Sequence, residues 1–199
     1  MIKNLKNIKK DLKSSLDKDR YQHTLGVSYT AMCLAMKYEV DLQKAEVAGL
    51  LHDCAKCIPD DKKLKKCIEH NISISETEKE QPYLLHAKVG AFIAMDKYGI
   101  QDMDIINAIL KHTTGSCEMT MLEKIIYVAD YIEPNRNKAK NLSTIRKIAF
   151  EDIDLAVYII MKDTVEYLKN KNTQIDSPTL KAYEYYEKLI NSRVKSDKS

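Results

Sequence analysis

Ala48-Gly49-Leu50-Leu51-His52-Asp53-Cys54-Ala55-Lys56 sets an imidazole, a carboxylate and an ammonium at the end of an apolar run. At helical steps, His52 continues Ala45 and Ala48, while Cys54 continues Val47, Leu50 and Leu51. A half-buried strand would alternate polar and apolar residues; this stretch does not, so a helix over about 42–56 is expected, stopped by Pro59. Neighbouring side chains on a helix project about 100° apart, so His52 and Asp53 reach a common target only along the helix edge. Lys56 lies four residues after His52 and three after Asp53, on the same side.

The same period extends in both directions. Ile2, Leu5, Ile8, Leu12 and Leu16 form an apolar stripe opposite a lysine-rich face, which suits a helix packed on its own domain better than a membrane surface. Further helices are expected at about 21–38, 61–69, 83–98, 102–112 and 120–132, with a polar loop at 75–81. A long pattern over about 143–170 has a break near Asp152, and Ser177-Pro178-Thr179 starts a last helix through about 191. With 5 Gly and 4 Pro in 199 residues, turn residues are too few for a sandwich or barrel. The expected fold is all-α: a single helical bundle at 18–191, an N-terminal amphipathic helix at 1–17 packed on it, and a polar, disordered tail at 192–199.

Hydrophobic residues at 44% and charged residues at 31% exclude a wholly disordered chain. A net charge of +3 gives no sign of a dedicated nucleic-acid binder. The longest apolar run has seven residues, 89–95, too short to span a membrane, and the N-terminus lacks a signal-peptide core. Five scattered cysteines point to free thiols in a reducing cytoplasm.

The histidines carry the chemistry. His23 shares a stripe with Val27, Ala31 and Leu34; His86 precedes Val89, Gly90 and Ile93; His112 follows Ile105 and Ile109; Asp130 follows Ile126. With His52, five ionisable residues on five helices face inward, whereas His70 reads as an exposed helix end. One inward histidine is most often a hydrogen-bonded core residue. Five inward polar groups are costly unless satisfied jointly, and a metal ion does that. Imidazole and carboxylate donors suit iron, manganese or zinc. A cation at Lys56, one turn beyond, suits a phosphate bridging to the metal.

His23, His52-Asp53 and Asp130 together resemble the H…HD…D signature of the HD-domain phosphohydrolases. The blocks His23-Thr-Leu-Gly-Val27, Ala48–Lys56, Leu85-His-Ala-Lys-Val-Gly90, His112-Thr-Thr-Gly115 and Leu122-Glu-Lys-Ile-Ile-Tyr-Val-Ala-Asp-Tyr-Ile-Glu-Pro134 are similar, in order, to the YqeK-type bacterial group over about 18–190. The resemblance implies an all-helical enzyme that hydrolyses diadenosine tetraphosphate symmetrically to two ADP. It implies iron first, manganese or zinc as alternatives, one or two ions, and a homodimer. Carried over by position, the metal ligands are His23, His52, Asp53 and Asp130. The nucleotide contacts add Arg20, Lys56, His86, His112 and Arg136, and the segment Thr173, Gln174, Ile175, Asp176, Ser177 and Pro178 around base and sugar.

The catalytic set expected on this basis is Asp53, Lys56, His86 and His112. Asp53 ligates the metal and orients water, and the other three neutralise phosphate charge; His86 or His112, if ionised, protonates the leaving ADP, or the two hold a second metal. Ser116 stands where relatives commonly have a basic residue. Cys54 and Cys57 form a C-x-x-C with no second pair, read here as buried, unpaired thiols. Two other classes stay open: an HD-type hydrolase of deoxynucleotides, alarmones or cyclic dinucleotides, and a non-catalytic nucleotide-sensing or RNA-associated module. A structural bundle with satisfied core histidines is the third.

Overall fold

In a computed structural model, which describes residues 5–196 and side chains through Arg193, the chain forms eleven α-helices and one 3-10 turn, with no strand among the described residues. In order they are α1 (Leu5–Ser15), α2 (Lys18–Lys37), α3 (Leu42–Leu51), α4 (Asp60–Glu69), α5 (Glu76–Glu80), the 3-10 turn Pro82–Leu85, α6 (His86–Asp96), α7 (Met103–Lys111), α8 (Met121–Ile132), α9 (Leu142–Ile148), α10 (Ile153–Asn170) and α11 (Ser177–Ser196). No helix is long and apolar enough to cross a membrane among the described residues.

Helices α2, α3, α7 and α8 pack on one another around Val27, Leu34, Leu50, Leu51, Ile105, Ile109, Ile125 and Ile126, all fully buried. Helices α10 and α11 pack together, and α10 lies on α8. Helix α1 lies across α2 and α3 and buries Ile8 and Leu12, each worth about 1.5–3 kcal/mol of transfer free energy. A smaller core of Ala55, Cys67, Leu85 and Val89 braces the turn after α3 from outside.

Side-chain caps start most of the helices. Asp17, Asp41 and Asp152 accept N–H bonds at the starts of α2, α3 and α10, and Asp152 is where the 143–170 pattern divides. Thr120 and Glu123 form a capping box on α8, and buried Glu123 takes an ion pair from Lys111 at 2.7 Å.

Several expected boundaries are corrected. The helix expected to 56 ends at Leu51, because the His52 ring donates from Nδ1 to the Gly49 carbonyl (2.7 Å) that an unbroken helix would offer to the Asp53 N–H. Residues 52–58 continue as tight turns, with Lys56 N–H donating to the Asp53 carbonyl at 2.9 Å. The expected loop at 75–81 contains α5, nucleated by a Ser75–Glu78 capping box. The helix expected at 83–98 is a 3-10 turn followed by α6, and Pro82 starts that turn. Helix α11 runs to Ser196, so the tail expected from 192 is helical for its first five residues; residues 1–4 and 197–199 lie outside the described residues.

Gly49 lets α2 and α3 meet: a Cβ there would stand 2.7 Å from the Ser28 Cα, a backbone atom that cannot step aside. Gly49→Ala should therefore cost about 1–3 kcal/mol by overpacking. A denaturant midpoint unchanged from the parent would contradict this packing.

Candidate active site

Four imidazoles converge in the middle of the bundle. His23 comes from the second turn of α2, His52 caps the C-terminus of α3, His86 opens α6 and His112 caps the C-terminus of α7. All four are buried. Their rings form a row, His23–His52–His112–His86, with successive centroids 5.4, 5.0 and 5.0 Å apart.

One local device recurs in three of them. His52, His86 and His112 each donate from Nδ1 to the backbone carbonyl three residues earlier, those of Gly49, Tyr83 and Ile109, at 2.7 Å in each case. His23, inside a helix whose carbonyls are taken, uses the buried carboxylate of Glu133 instead (Nδ1 to Oε1, 3.2 Å). With Nδ1 protonated, a neutral ring presents a bare lone pair at Nε2, and oxygen partners of this kind are what fix and strengthen metal-ligating histidines.

The acids face those lone pairs. Asp130 Oδ1, from α8, lies 3.0 Å from His23 Nε2 and 3.9 Å from His52 Nε2. Asp53 serves both ends of the row. Its Oδ2 lies 3.5 Å from His52 Nε2 and 3.9 Å from His23 Nε2, and its Oδ1 lies 3.3 and 3.4 Å from His86 and His112 Nε2. Burial alone would raise the Asp53 carboxyl, but the surrounding imidazoles of His52, His112 and His86 hold it well below the usual range. Asp130 is likewise opposed by burial and held low by His23, His52 and Arg136.

Three cations flank the cluster. Arg20 donates to Asp53 Oδ2 at 2.7 Å, Arg136 to Asp130 Oδ1 at 3.1 Å, and Lys56 Nζ to His86 Nε2 at 3.0 Å while lying 3.7 Å from Asp53 Oδ1. Desolvation lowers the Lys56 ammonium, partly offset by Asp53 and Asp130. Burial pulls His86 down to about 4, so its neutral ring accepts from Lys56 near pH 7 rather than standing ready as a proton donor.

The donors fit a divalent metal. Ligand atoms of His23, His52 and Asp130 lie within 4.8 Å of one another, as do those of His52, Asp53 and His112. His23 Nε2, His52 Nε2 and Asp53 Oδ1 are buried without a hydrogen-bond partner, which is costly unless a cation satisfies them.

The structure thus gathers His23, His52, Asp53, Lys56, His86, His112, Asp130, Arg20 and Arg136 in one place. The segment Thr173–Pro178 sits at the far side. Gln174 offers its carbonyl to Gln81 (2.9 Å), and Asp176 and Pro178 line a small cavity with Thr113. His70 stays outside the cluster and stacks on Phe92 at 4.1 Å. Of the two thiols expected to be buried, Cys54 is, with its pKa pushed up to about 12 by burial; Cys57 is exposed and donates to Asp17 at 3.3 Å.

Two residues escaped the sequence reading. Thr113 places its hydroxyl 3.1 and 3.0 Å from His86 and His112 Nε2. Glu133 holds His23, and its other oxygen accepts the Asn135 N–H at 2.8 Å. Gly26 makes room for it, since a Cβ there would overlap the Glu133 carboxylate. Arg146 clamps the same turn through the carbonyls of Ile132, Glu133 and Arg136.

A family model described as the HD domain matches residues 20–135. The chain is 40% identical over 174 residues to the symmetrical bis(5'-nucleosyl)-tetraphosphatase of Bacillus subtilis (strain 168), covering 87% of this chain and 92% of that protein. It is 35% identical over 196 residues to the protein of the same name from Staphylococcus aureus (strain NCTC 8325 / PS 47), covering 98% and 100%. A crystal structure of a predicted HD superfamily hydrolase involved in NAD metabolism from Clostridium acetobutylicum superposes with a TM-score of 0.91 at 38% identity, covering 95% of this chain and all of that one.

Proposed function

Because the chain belongs to the HD-domain family, among its symmetrical bis(5'-nucleosyl)-tetraphosphatases, we propose that it hydrolyses diadenosine tetraphosphate at the central phosphoanhydride to give two ADP. The observation that supports this most directly is the convergence of two imidazole lone pairs with the buried carboxylate of Asp53 and the half-buried one of Asp130, ringed by cations. His23, His52, Asp53 and Asp130 would hold a divalent metal, with iron as the first candidate and manganese or zinc as alternatives. Such an ion supplies a Lewis acid for phosphate oxygens, a lowered pKa for adjacent water, and the positive charge that the cluster lacks.

That lack follows from the residues. Asp53, Asp130 and Glu133 are matched by Arg20, Lys56 and Arg136, so the protein alone has no surplus charge for a polyanion. Asp53 orients the attacking water with the oxygen that faces His86 and His112. Lys56, steadied by neutral His86, neutralises a non-bridging phosphate oxygen, and Arg20 and Arg136 keep further N–H groups for the same work. The Lys56 ammonium beside His86 favours phosphate over a second cation at that end of the row. The base and sugar of one half lie against Thr173–Pro178. Five free cysteines suit action in the cytoplasm.

Metal-depleted protein should be inactive and should recover with added iron, manganese or zinc. Diadenosine tetraphosphate should yield ADP as sole product by chromatography. ATP plus AMP, or turnover indifferent to metal, would overturn the assignment; faster turnover of a deoxynucleotide or alarmone would favour another HD-type substrate.

A further inference from the structure

A cavity adjoins each end of the histidine row. At the end marked by Thr113 it measures about 150 Å³, with apolar walls from Leu84, Ala87, Leu110 and Pro178. That is below the roughly 300–1,000 Å³ of small-molecule sites and suits a single base. At the end marked by His23 it measures about 600 Å³ and is lined by Arg20, Gln22, Asn135, Arg136, Asn137 and Lys138 among others.

The larger cavity has the chemistry of an anion site. Its three carboxylates balance its three cations in charge, but Asp17 has an oxygen engaged in capping α2 and Glu133 has both of its oxygens engaged by His23 and Asn135, so among the acids only Asp19 competes freely for the donors. Against it stand Arg20 and Arg136, each using only part of its guanidinium on the cluster, and Lys138, which is paired with no carboxylate among the described residues. Gln22, Asn135 and Asn137 add uncharged hydrogen-bonding groups.

Symmetric cleavage requires equal substrate on both sides of the reacting phosphorus. Water adds to one inner phosphorus, the bond from that phosphorus to the central bridging oxygen breaks, and the oxygen departs with the second ADP and a proton. We propose that the 600 Å³ cavity at the His23 end is a second nucleoside diphosphate subsite, in which Lys138 meets the phosphates of the departing half and Gln22, Asn135 and Asn137 meet its sugar or base. The proposal rests on the function assigned above and adds to it the place of the second half.

The test is ADP titration of metal-loaded protein by calorimetry, with Lys138→Glu in parallel. The parent should bind two ADP per chain. The variant should keep the tighter site and lose the weaker, with metal content and melting unchanged. Its KM for diadenosine tetraphosphate should rise about tenfold while kcat stays within about twofold, the mark of a binding contact away from the reacting bond. One ADP per chain in the parent, or two retained with unchanged KM in the variant, would overturn the subsite. Those results alongside intact release of two ADP would leave the hydrolase assignment standing, whereas loss of symmetric cleavage in the parent would strike that assignment instead.

Discussion

Asp53→Asn should lose bound metal and reduce turnover by on the order of 10³-fold or more, beyond the roughly 10–100-fold expected for altering a partner outside the ligand set. Asp53 is 2% exposed, and its two oxygens address different ends of the row: Oδ2 faces His23, His52 and Arg20, and Oδ1 faces His86, His112 and Lys56. An amide is isosteric but neutral, and it turns an N–H₂ toward one of these sets. If the N–H₂ lies on the Oδ1 side it can satisfy one imidazole lone pair; on the Oδ2 side it confronts the Arg20 guanidinium donor to donor. Helical content by circular dichroism should persist, because the apolar core of α2, α3, α7 and α8 does not depend on this carboxylate. Full metal content and parental turnover in the variant would remove Asp53 from the centre.

Glu133→Gln should weaken metal binding by roughly 10–100-fold without touching a ligand. The carboxylate accepts two N–H groups, from His23 Nδ1 and from the Asn135 backbone. Glutamine has one acceptor oxygen for both, so one donor must face an amide N–H₂. If His23 is the loser, its ring is free to rotate and its Nε2 is no longer aimed. The readout is metal affinity by competition with a chelator, which a merely structural role would leave alone. Affinity equal to the parent would mean that packing alone orients His23.

The long helices were legible because their period is. His23 and Asp130 lie within α2 and α8, where three- and four-residue spacing to Val27 and Ile126 sets which way they face. The break at Asp152 was legible as an acid able to cap a helix. The end of α3 was not. It depends on one side chain taking a backbone carbonyl, and nothing in apolar spacing reports that His52 will bond Gly49. This frees Asp53 from the helix-edge constraint, since it stands on a turn rather than 100° around a cylinder. Helix α5 could have been read from the Ser75-x-x-Glu78 signature in a segment too polar to show a period. Glu133 also left a trace: an acid at the C-terminus of α8 opposes the helix dipole and calls for a compensating contact. Thr113 left none, because a hydroxyl beside a histidine says nothing of where either points.

The anchoring of every site imidazole through Nδ1 has a consequence for acid behaviour. With that nitrogen already protonated, the only basic position left on His23 and His52 is the one that would grip the ion. Hydronium and metal therefore contest the same lone pairs, and no tautomeric shift can relieve the competition.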